Sequence, residues 1–165
     1  EAGWAFMLPG SSAPLVDNYN FTIVDCSPSL GLLTLNALTS SDYVMIPLQT
    51  EFLAMQGLAK IKQVIQKVKL RLNKRLQIGG VVATMYDSRK VLNRDVVNTI
   101  SKYFGSLLFE TKIRDTVALA EAPAQRKDIF AYSPNSAGAE DYLNLSKEIL
   151  KRMEQFDRMM AEKGQ

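Results

Sequence analysis

Short apolar runs alternate with longer amphipathic stretches along most of this 165-residue chain. The short runs are rich in β-branched and aromatic residues, which favours buried strands, and the longer stretches repeat their apolar residues with helical spacing. This alternation predicts an α/β fold with a mostly parallel sheet and helices on both faces. The predicted strands are YNFTIVDC (19–26), DYVMIPL (42–48), IGGVVATMY (78–86) and LLFETKI (107–113). The predicted helices cover about 30–38, 52–72, 93–103 and 137–160, and a short helix or turn is expected at 116–122.

The length of the chain and its ordinary composition suit one globular domain, which we expect over residues 18–165. Residues 1–17 show neither periodicity nor a helix start, so we expect a leader or the remnant of a preceding element. No apolar run approaches the roughly 18 residues that a membrane span requires. The single cysteine, Cys26, excludes an internal disulfide and suits a reducing compartment.

The chain contains no histidine, and this excludes several kinds of chemistry. Ser-His-Asp and Cys-His catalysis and histidine-based metal sites are ruled out within this chain. Any reaction must therefore use carboxylates, lysines, hydroxyls or bound magnesium. The net charge of +3 is too small to indicate a nucleic-acid binder by itself.

The segment FTIVDCSPSLGLLTLNAL (21–38) carries the most specific signal for chemistry. Its acid, Asp25, follows an apolar run, and the carboxyl ends of parallel strands are where doubly wound sheets bind ligands. Such an aspartate holds magnesium in nucleotide hydrolases, directly or through water. The alternative is that Asp25 only ends a strand or caps the following helix.

Four ordered blocks of this sequence resemble the ParA/Soj family of partitioning ATPases. The resemblance extends from about Asn18 to Leu150 without a large gap. It implies a ParA/MinD-like P-loop NTPase domain that is incomplete here, with ATP and magnesium as cofactors of the intact protein. The blocks are YNFTIVDCSPSLGLLTLNALTSSDYVMIPLQTEFLAMQGL, GGVVATMYDSRKVLNRDVV, IRDTVALAEAPAQRKDI and YSPNSAGAEDYLNLSKEI.

The resemblance also implies roles for individual residues. Asp25 would be the magnesium-site acid, binding the ion through water, in a Walker B-like position. The second switch loop would begin at Cys26, Ser27, Pro28 and Ser29. The nucleotide base would be contacted by Thr84, Met85, Ile113 and Arg114, although family members often have proline where Arg114 stands. Plain packing or strand-end polarity is the alternative for each of these residues.

The sequence departs from the family pattern at its phosphate-binding loop. Neither GxxxxGK[ST] nor the family's KGGxGKT element occurs in the chain. The backbone N–H groups and the lysine of that loop cradle the phosphates, so we expect no tight ATP binding or hydrolysis by this chain alone. The chain resembles about the last three-fifths of a family member.

Nonspecific DNA binding by the intact family protein rests on lysine and arginine contacts to phosphates. By resemblance, Arg89 matches a DNA-contacting arginine, whereas Ala118 stands where a second arginine is common. From Phe52 to Tyr86 the chain has no acid, and a basic helix face is predicted there. A merely solvated surface is the alternative explanation for that face. Its members are Lys60, Lys67, Arg71 and Lys74.

Three functions remain open from the sequence. The first is that the chain forms part of an ATP-driven switch for chromosome or plasmid partitioning. Such a protein would be cytoplasmic and associated with the bacterial nucleoid. It would bind a ParB-like partner and associate with itself. The second is a non-hydrolysing interaction module that pairs with an intact ParA-like subunit or a ParB-like partner. The third is a MinD-like membrane-positioning ATPase, which the acids Glu154, Asp157 and Glu162 in the amphipathic tail disfavour. We therefore expect no membrane binding.

Overall fold

The computed structural model describes residues 18–27 and 31–163. The elements of this part are, in chain order, α1 (Leu32–Ser40), β1 (Tyr43–Gln49), α2 (Phe52–Arg71), β2 (Gln77–Thr84), α3 (Val91–Phe104), a short 3₁₀ helix (Gly105–Leu107), α4 (Val117–Ala124), α5 (Ile129–Tyr132) and α6 (Ala137–Lys163). The strands β1 and β2 and the helices α1 to α4 and α6 agree with the predicted elements. The four-residue helix α5 was not predicted.

The sheet is formed by β1 and β2, which lie side by side. At one end the Gln77 N–H donates to the Asp42 carbonyl at 2.9 Å, and at the other the Thr50 N–H donates to the Thr84 carbonyl at 3.0 Å. The first of these bonds joins the beginnings of the two strands and the second joins their ends, so β1 and β2 run parallel. The α/β prediction with a parallel sheet and helices is confirmed.

The chain divides into two compact units, residues 1–44 with 59–78 and residues 45–58 with 79–165. In the first unit, the end of α2 is fixed to the end of α1 by the side-chain amide of Asn73. This amide donates to the carbonyls of Leu38 at 3.1 Å and Ser41 at 2.7 Å. The apolar stripe of α2 is buried in this unit at Ile65 and Val68, and the turn that follows the helix buries Leu76.

The second unit has a core of Val82, Phe109, Ile113 and Leu145. A glycine on β2 makes room for the Phe109 ring, because a Cβ at Gly80 would overlap the ring edge and lie 2.8 Å from Nη1 of Arg152. On α6, Leu145 is buried, whereas Tyr142, about one turn earlier, is 41% exposed. Asp141 occupies the buried position beside it, because its carboxylate binds Arg114.

The predicted strand over residues 107–113 is wrong as a continuous element. Leu108 forms an isolated parallel bridge to Val81 of β2, and Arg114 forms one to Tyr86, two residues beyond the end of that strand. Between them the Phe109 N–H donates to the Val81 carbonyl and the Ile113 N–H to the Ala83 carbonyl, both at 2.9 Å. The three residues 110–112 therefore lie opposite a single residue of β2, Val82, and the extra residues bulge out of the ladder.

The bulge is stabilised by a side chain from α6. The carboxylate of Glu148 accepts from the Glu110 N–H at 2.8 Å and from the Thr111 N–H at 3.0 Å. Arg152, one turn later, lies over the Phe109 ring at 3.9 Å and donates to the Leu107 carbonyl at 2.8 Å. Side-chain groups thus replace the strand partner that the bulge lacks.

The predicted strand over residues 19–26 is also wrong. Residues 21–27 have no regular secondary structure, and Ile23 is 92% exposed. A strand needs a neighbouring strand for its backbone groups. Within the described part of the chain, no backbone hydrogen bond of residues 19–26 to another segment provides one.

Candidate functional site

A turn follows the carboxyl end of β2, and it is held in place by hydrogen bonds from Thr50, a fully buried residue. The Thr50 Oγ1 hydroxyl lies 3.2 Å from the Thr84 carbonyl oxygen and 3.0 Å from that of Met85. Met85 has a φ of 53°, in the left-handed region that a non-glycine residue rarely adopts. Its side chain is 47% exposed, so the turn presents an apolar group at the strand end.

The segment around Ile113 lies beside this turn. The Tyr86 N–H donates to the Ile113 carbonyl at 3.0 Å, and the Asp115 N–H donates to the Tyr86 carbonyl at 3.2 Å. Ile113 itself is buried, and Tyr86 forms a parallel bridge with Arg114. The four residues expected at the nucleotide base therefore come together: Thr84, Met85, Ile113 and Arg114.

The side chain of Arg114 binds two acidic residues near the start of α6, Glu140 and Asp141. Its Nη2 lies 2.7 Å from both Asp141 Oδ1 and Glu140 Oε2, and its Nε donates to Asp141 Oδ2 at 2.9 Å. These hydrogen bonds, that to Asp141 first, raise the pKa of the guanidinium. Arg114 thus holds α6 against the turn, while a contact of this side chain with a base stays a prediction.

Arg89, the predicted DNA contact, is 88% exposed and forms a two-pronged ion pair with Asp87. Arg89 Nε donates to Oδ1 at 3.0 Å and Nη2 to Oδ2 at 2.9 Å. These bonds, together with one from the Arg89 backbone N–H, lower the pKa of Asp87 to about 2. The predicted cation is therefore neutralised by a neighbouring carboxylate.

A buried amide connects this ion pair to the turn at the end of β2. Asn93, on α3, is 4% exposed. Its Nδ2 donates to the Thr50 carbonyl at 2.6 Å, and its Oδ1 accepts from the Asp87 N–H at 2.8 Å. Thr50, Asn93 and Asp87 thus fix the loop between the predicted base-contact residues, Thr84 and Met85, and Arg89.

Asp25, the predicted magnesium-site acid, and Cys26 and Ser27, predicted to begin the switch loop, lie in the first unit. Asp25, Cys26 and Ser27 are all exposed, whereas Pro28 and Ser29 lie outside the described residues. Carboxylate oxygen is the ligand that magnesium prefers, so Asp25 fits a water-mediated site chemically. Among residues 18–27 and 31–163, no group of three Asp, Glu or Cys side chains is placed to hold a metal ion. The role of Asp25 stays a prediction.

The predicted basic face of α2 is exposed at all four positions. Lys60, Lys67 and Arg71 lie on the helix, but Lys74 lies in the turn after it. The expectation that Lys74 shares the helix is wrong, because α2 ends at Arg71 and Asn73 turns the chain toward α1. No helix in the described ranges is long and apolar enough to cross a membrane.

Three residues of the loop network were not predicted from the sequence: Thr50, Asp87 and Asn93. The spacing Asp87-x-Arg89 carried a usable signal, because residues two apart in a turn often bond to each other. Nothing in the sequence indicated that Asn93 is buried, since a polar residue near a helix start is ordinarily exposed.

Comparison with known proteins places the chain in a family. An AAA domain family matches residues 7–78. The sporulation initiation inhibitor protein Soj of Bacillus subtilis is 47% identical over 132 residues, 80% of this chain and 52% of that protein. The chromosome partitioning protein ParA of Myxococcus xanthus is 43% identical over 147 residues, 89% of this chain and 52% of that protein.

Solved structures agree with this relationship. A cobyrinic acid a,c-diamide synthase from Mycobacterium smegmatis with bound ADP and magnesium is 36% identical, with a TM-score of 0.65 over 70% of this chain and 47% of that one. The cell division ATPase MinD of Pyrococcus furiosus is 22% identical, with a TM-score of 0.72 over 89% and 58%, which shows the fold alone. The chain spans about half the length of the curated relatives it matches. By sequence, it belongs to the ParA/Soj family of partitioning ATPases.

Proposed function

We propose that this chain is the C-terminal part of a ParA/Soj-like ATPase that acts in chromosome or plasmid partitioning. In the intact protein, ATP would drive dimerisation and nonspecific DNA binding on the nucleoid, with a ParB-like partner. The observation that carries the proposal is the pinned loop at the end of β2. It joins the base-contact residues Thr84 and Met85 to Arg89 through Thr50 and Asn93.

The nucleotide would lie at the carboxyl ends of the strands, as in other doubly wound sheets. The apolar Met85 side chain and the segment at Ile113 would contact the base, and Arg114 would position that segment through Asp141. Asp25 would orient a water ligand of magnesium. A bound magnesium ion would neutralise part of the charge of the phosphates. The phosphates themselves need a glycine-rich lysine loop, which this sequence does not contain.

A chimera tests the ATPase part of the proposal. The N-terminal half of Bacillus subtilis Soj, joined upstream of residue 18, should give magnesium-dependent ATP hydrolysis that we do not expect from the chain alone. In the chimera, Asp25→Asn should lower hydrolysis at least about tenfold, because the magnesium site loses its carboxylate. Asp95→Asn, which removes an exposed acid from α3, is the matched control. Equal activities of the two variants would contradict the role of Asp25.

The DNA part of the proposal rests on the exposed cations of α2. Changing Lys60, Lys67 and Arg71 together to alanine should lower the slope of log affinity against log salt by up to about 3, near 0.9 for each phosphate that is no longer neutralised. The control replaces Lys147, Lys151 and Arg158, three exposed cations of α6, and so removes the same charge. Fluorescence anisotropy of a labelled duplex measures both. Identical salt slopes for the two triple variants would leave α2 without a DNA role.

The second candidate is a non-hydrolysing interaction module. It is favoured by exposed apolar side chains in the first unit, including Phe21 at 60%, Ile23 at 92% and Leu33 at 83%. Such surface promotes association of a chain with a second copy or with a partner subunit. Light scattering over a concentration series measures this. A clean monomer at high concentration would count against the module.

A further inference from the structure

The Asp87 carboxylate presents two oxygens to Arg89 in the way that a phosphate group does. Arg89 donates its Nε to one oxygen and its Nη2 to the other, at 3.0 and 2.9 Å. A planar guanidinium binds carboxylate and phosphate with the same two-pronged geometry. The donors with which Arg89 would grip a DNA phosphate are therefore the ones that Asp87 already occupies.

The competing carboxylate cannot easily move aside, because its backbone is fixed. The Asp87 N–H donates to Asn93 Oδ1 at 2.8 Å, and Asn93 is tied to the Thr50 carbonyl at 2.6 Å. The side chain of Asp87 is only 17% exposed, whereas that of Arg89 is 88% exposed. Asp87 is thus held in the loop, whereas the side chain of Arg89 lies in solvent.

Protonation does not release Arg89 under ordinary conditions. The bonds from Arg89 hold the pKa of Asp87 at about 2, so the carboxylate stays charged in any neutral buffer used for DNA binding. The charges of the two groups cancel, and a neutral pair releases few counterions from DNA. A DNA phosphate must displace the carboxylate or share the guanidinium with it.

We propose that Asp87 sets the strength of DNA binding by this chain, by occupying the guanidinium of Arg89. The inference rests on the proposed function, since it assumes that DNA phosphates are the partner of Arg89. Within that function it assigns Asp87 as an affinity-setting residue that competes with DNA, and it assigns Asn93 as the residue that positions Asp87.

The test replaces the carboxylate by an amide. Asp87→Asn should raise the affinity of the 165-residue chain for a labelled duplex by about 2- to 5-fold at low salt, the range expected from an exposed ion pair. The salt slope should steepen by about 0.9, one further phosphate contact. Asp87→Ser is the second variant, and a circular-dichroism melt checks that both are folded. Asp95→Asn removes the same charge from the exposed face of α3, away from the ion pair, and should change affinity less.

A double-mutant cycle with Arg89→Ala separates competition from simple charge repulsion. In the Arg89→Ala background, Asp87→Asn should raise affinity no more than Asp95→Asn does, because no guanidinium is left to release. DNA binding that responds equally to Asp87→Asn with and without Arg89 would overturn the inference and leave the proposed DNA function intact. No salt-dependent DNA binding by any variant, either in the 165-residue chain or in the ATP-bound Soj chimera, would overturn both.

Discussion

The segments 19–26 and 107–113 were both expected to be strands, yet they end in opposite environments. Ile23 is 92% exposed, whereas Ile113 is 4% exposed. Composition alone therefore does not bury such a segment. Its backbone also needs partners, because an unpaired N–H or carbonyl is costly to remove from water.

The partners of the two segments differ in kind. Residues 108–114 donate hydrogen bonds to carbonyls of β2 at both ends and to the Glu148 carboxylate in the middle. Residues 21–27 have no strand ladder among the described residues. Residues 108–114 thus bury Phe109 and Ile113 because a side chain completes the hydrogen bonds that their irregular ladder leaves open. Residues 21–27, without such a ladder in the described part of the chain, stay exposed.

The sharpest test of this comparison truncates the same residue type in both segments. Ile113→Ala should lower the free energy of unfolding by about 2–5 kcal/mol, because it opens a cavity beside Phe109 and Leu145. Ile23→Ala should change it by less than about 0.5 kcal/mol, because the side chain is already in water. Urea unfolding measures both. Similar losses from the two variants would show that residues 21–27 are buried in solution, and the comparison would fail.

A second test concerns the glycine that lets residues 108–114 pack on β2. Gly80→Ala should cost about 1–3 kcal/mol, since its Cβ would overlap the Phe109 ring and crowd Arg152. The control is Gly57→Ala on α2, where a Cβ meets nothing within 4 Å. That change should stabilise the chain by about 0.5–1 kcal/mol, as alanine favours a helix interior. A neutral Gly80→Ala would mean that the ring does not lie on β2.

The amino-acid sequence was sufficient to predict most of the elements that periodicity defines. The long helices α2 and α6 and the strands β1 and β2 lie where their apolar spacing placed them. The end of α3 at Gly105 also followed from the sequence, since the cap needs a positive φ, here 54°. These features depend on residues that are close in the chain.

Features that depend on distant residues were not predicted. The bulge at Glu110 and Thr111 is set by Glu148, 37 or more residues later in the chain. The buried role of Asn93 depends on the Thr50 carbonyl, 43 residues earlier. For the candidate site, the turn at Thr84 and Met85 was predicted as a base contact, but the pairing of Arg89 with Asp87 was not. Local periodicity contains no information about such partners.

The smallest expected effect belongs to the side chain that completes the bulge. Glu148→Ala should cost about 1 kcal/mol, because water can replace the carboxylate at these partly exposed N–H groups. Glu148→Gln should cost less, since one oxygen remains as an acceptor, and Glu154→Ala, an exposed acid on the same helix, should cost nothing measurable. Amide hydrogen exchange gives the more specific readout, with Glu110 and Thr111 losing protection in Glu148→Ala while Phe109 and Ile113 keep theirs. Uniform loss of protection across residues 108–114 would mean that Glu148 supports the whole segment, and the ladder with β2 would then be too weak to hold its two ends alone.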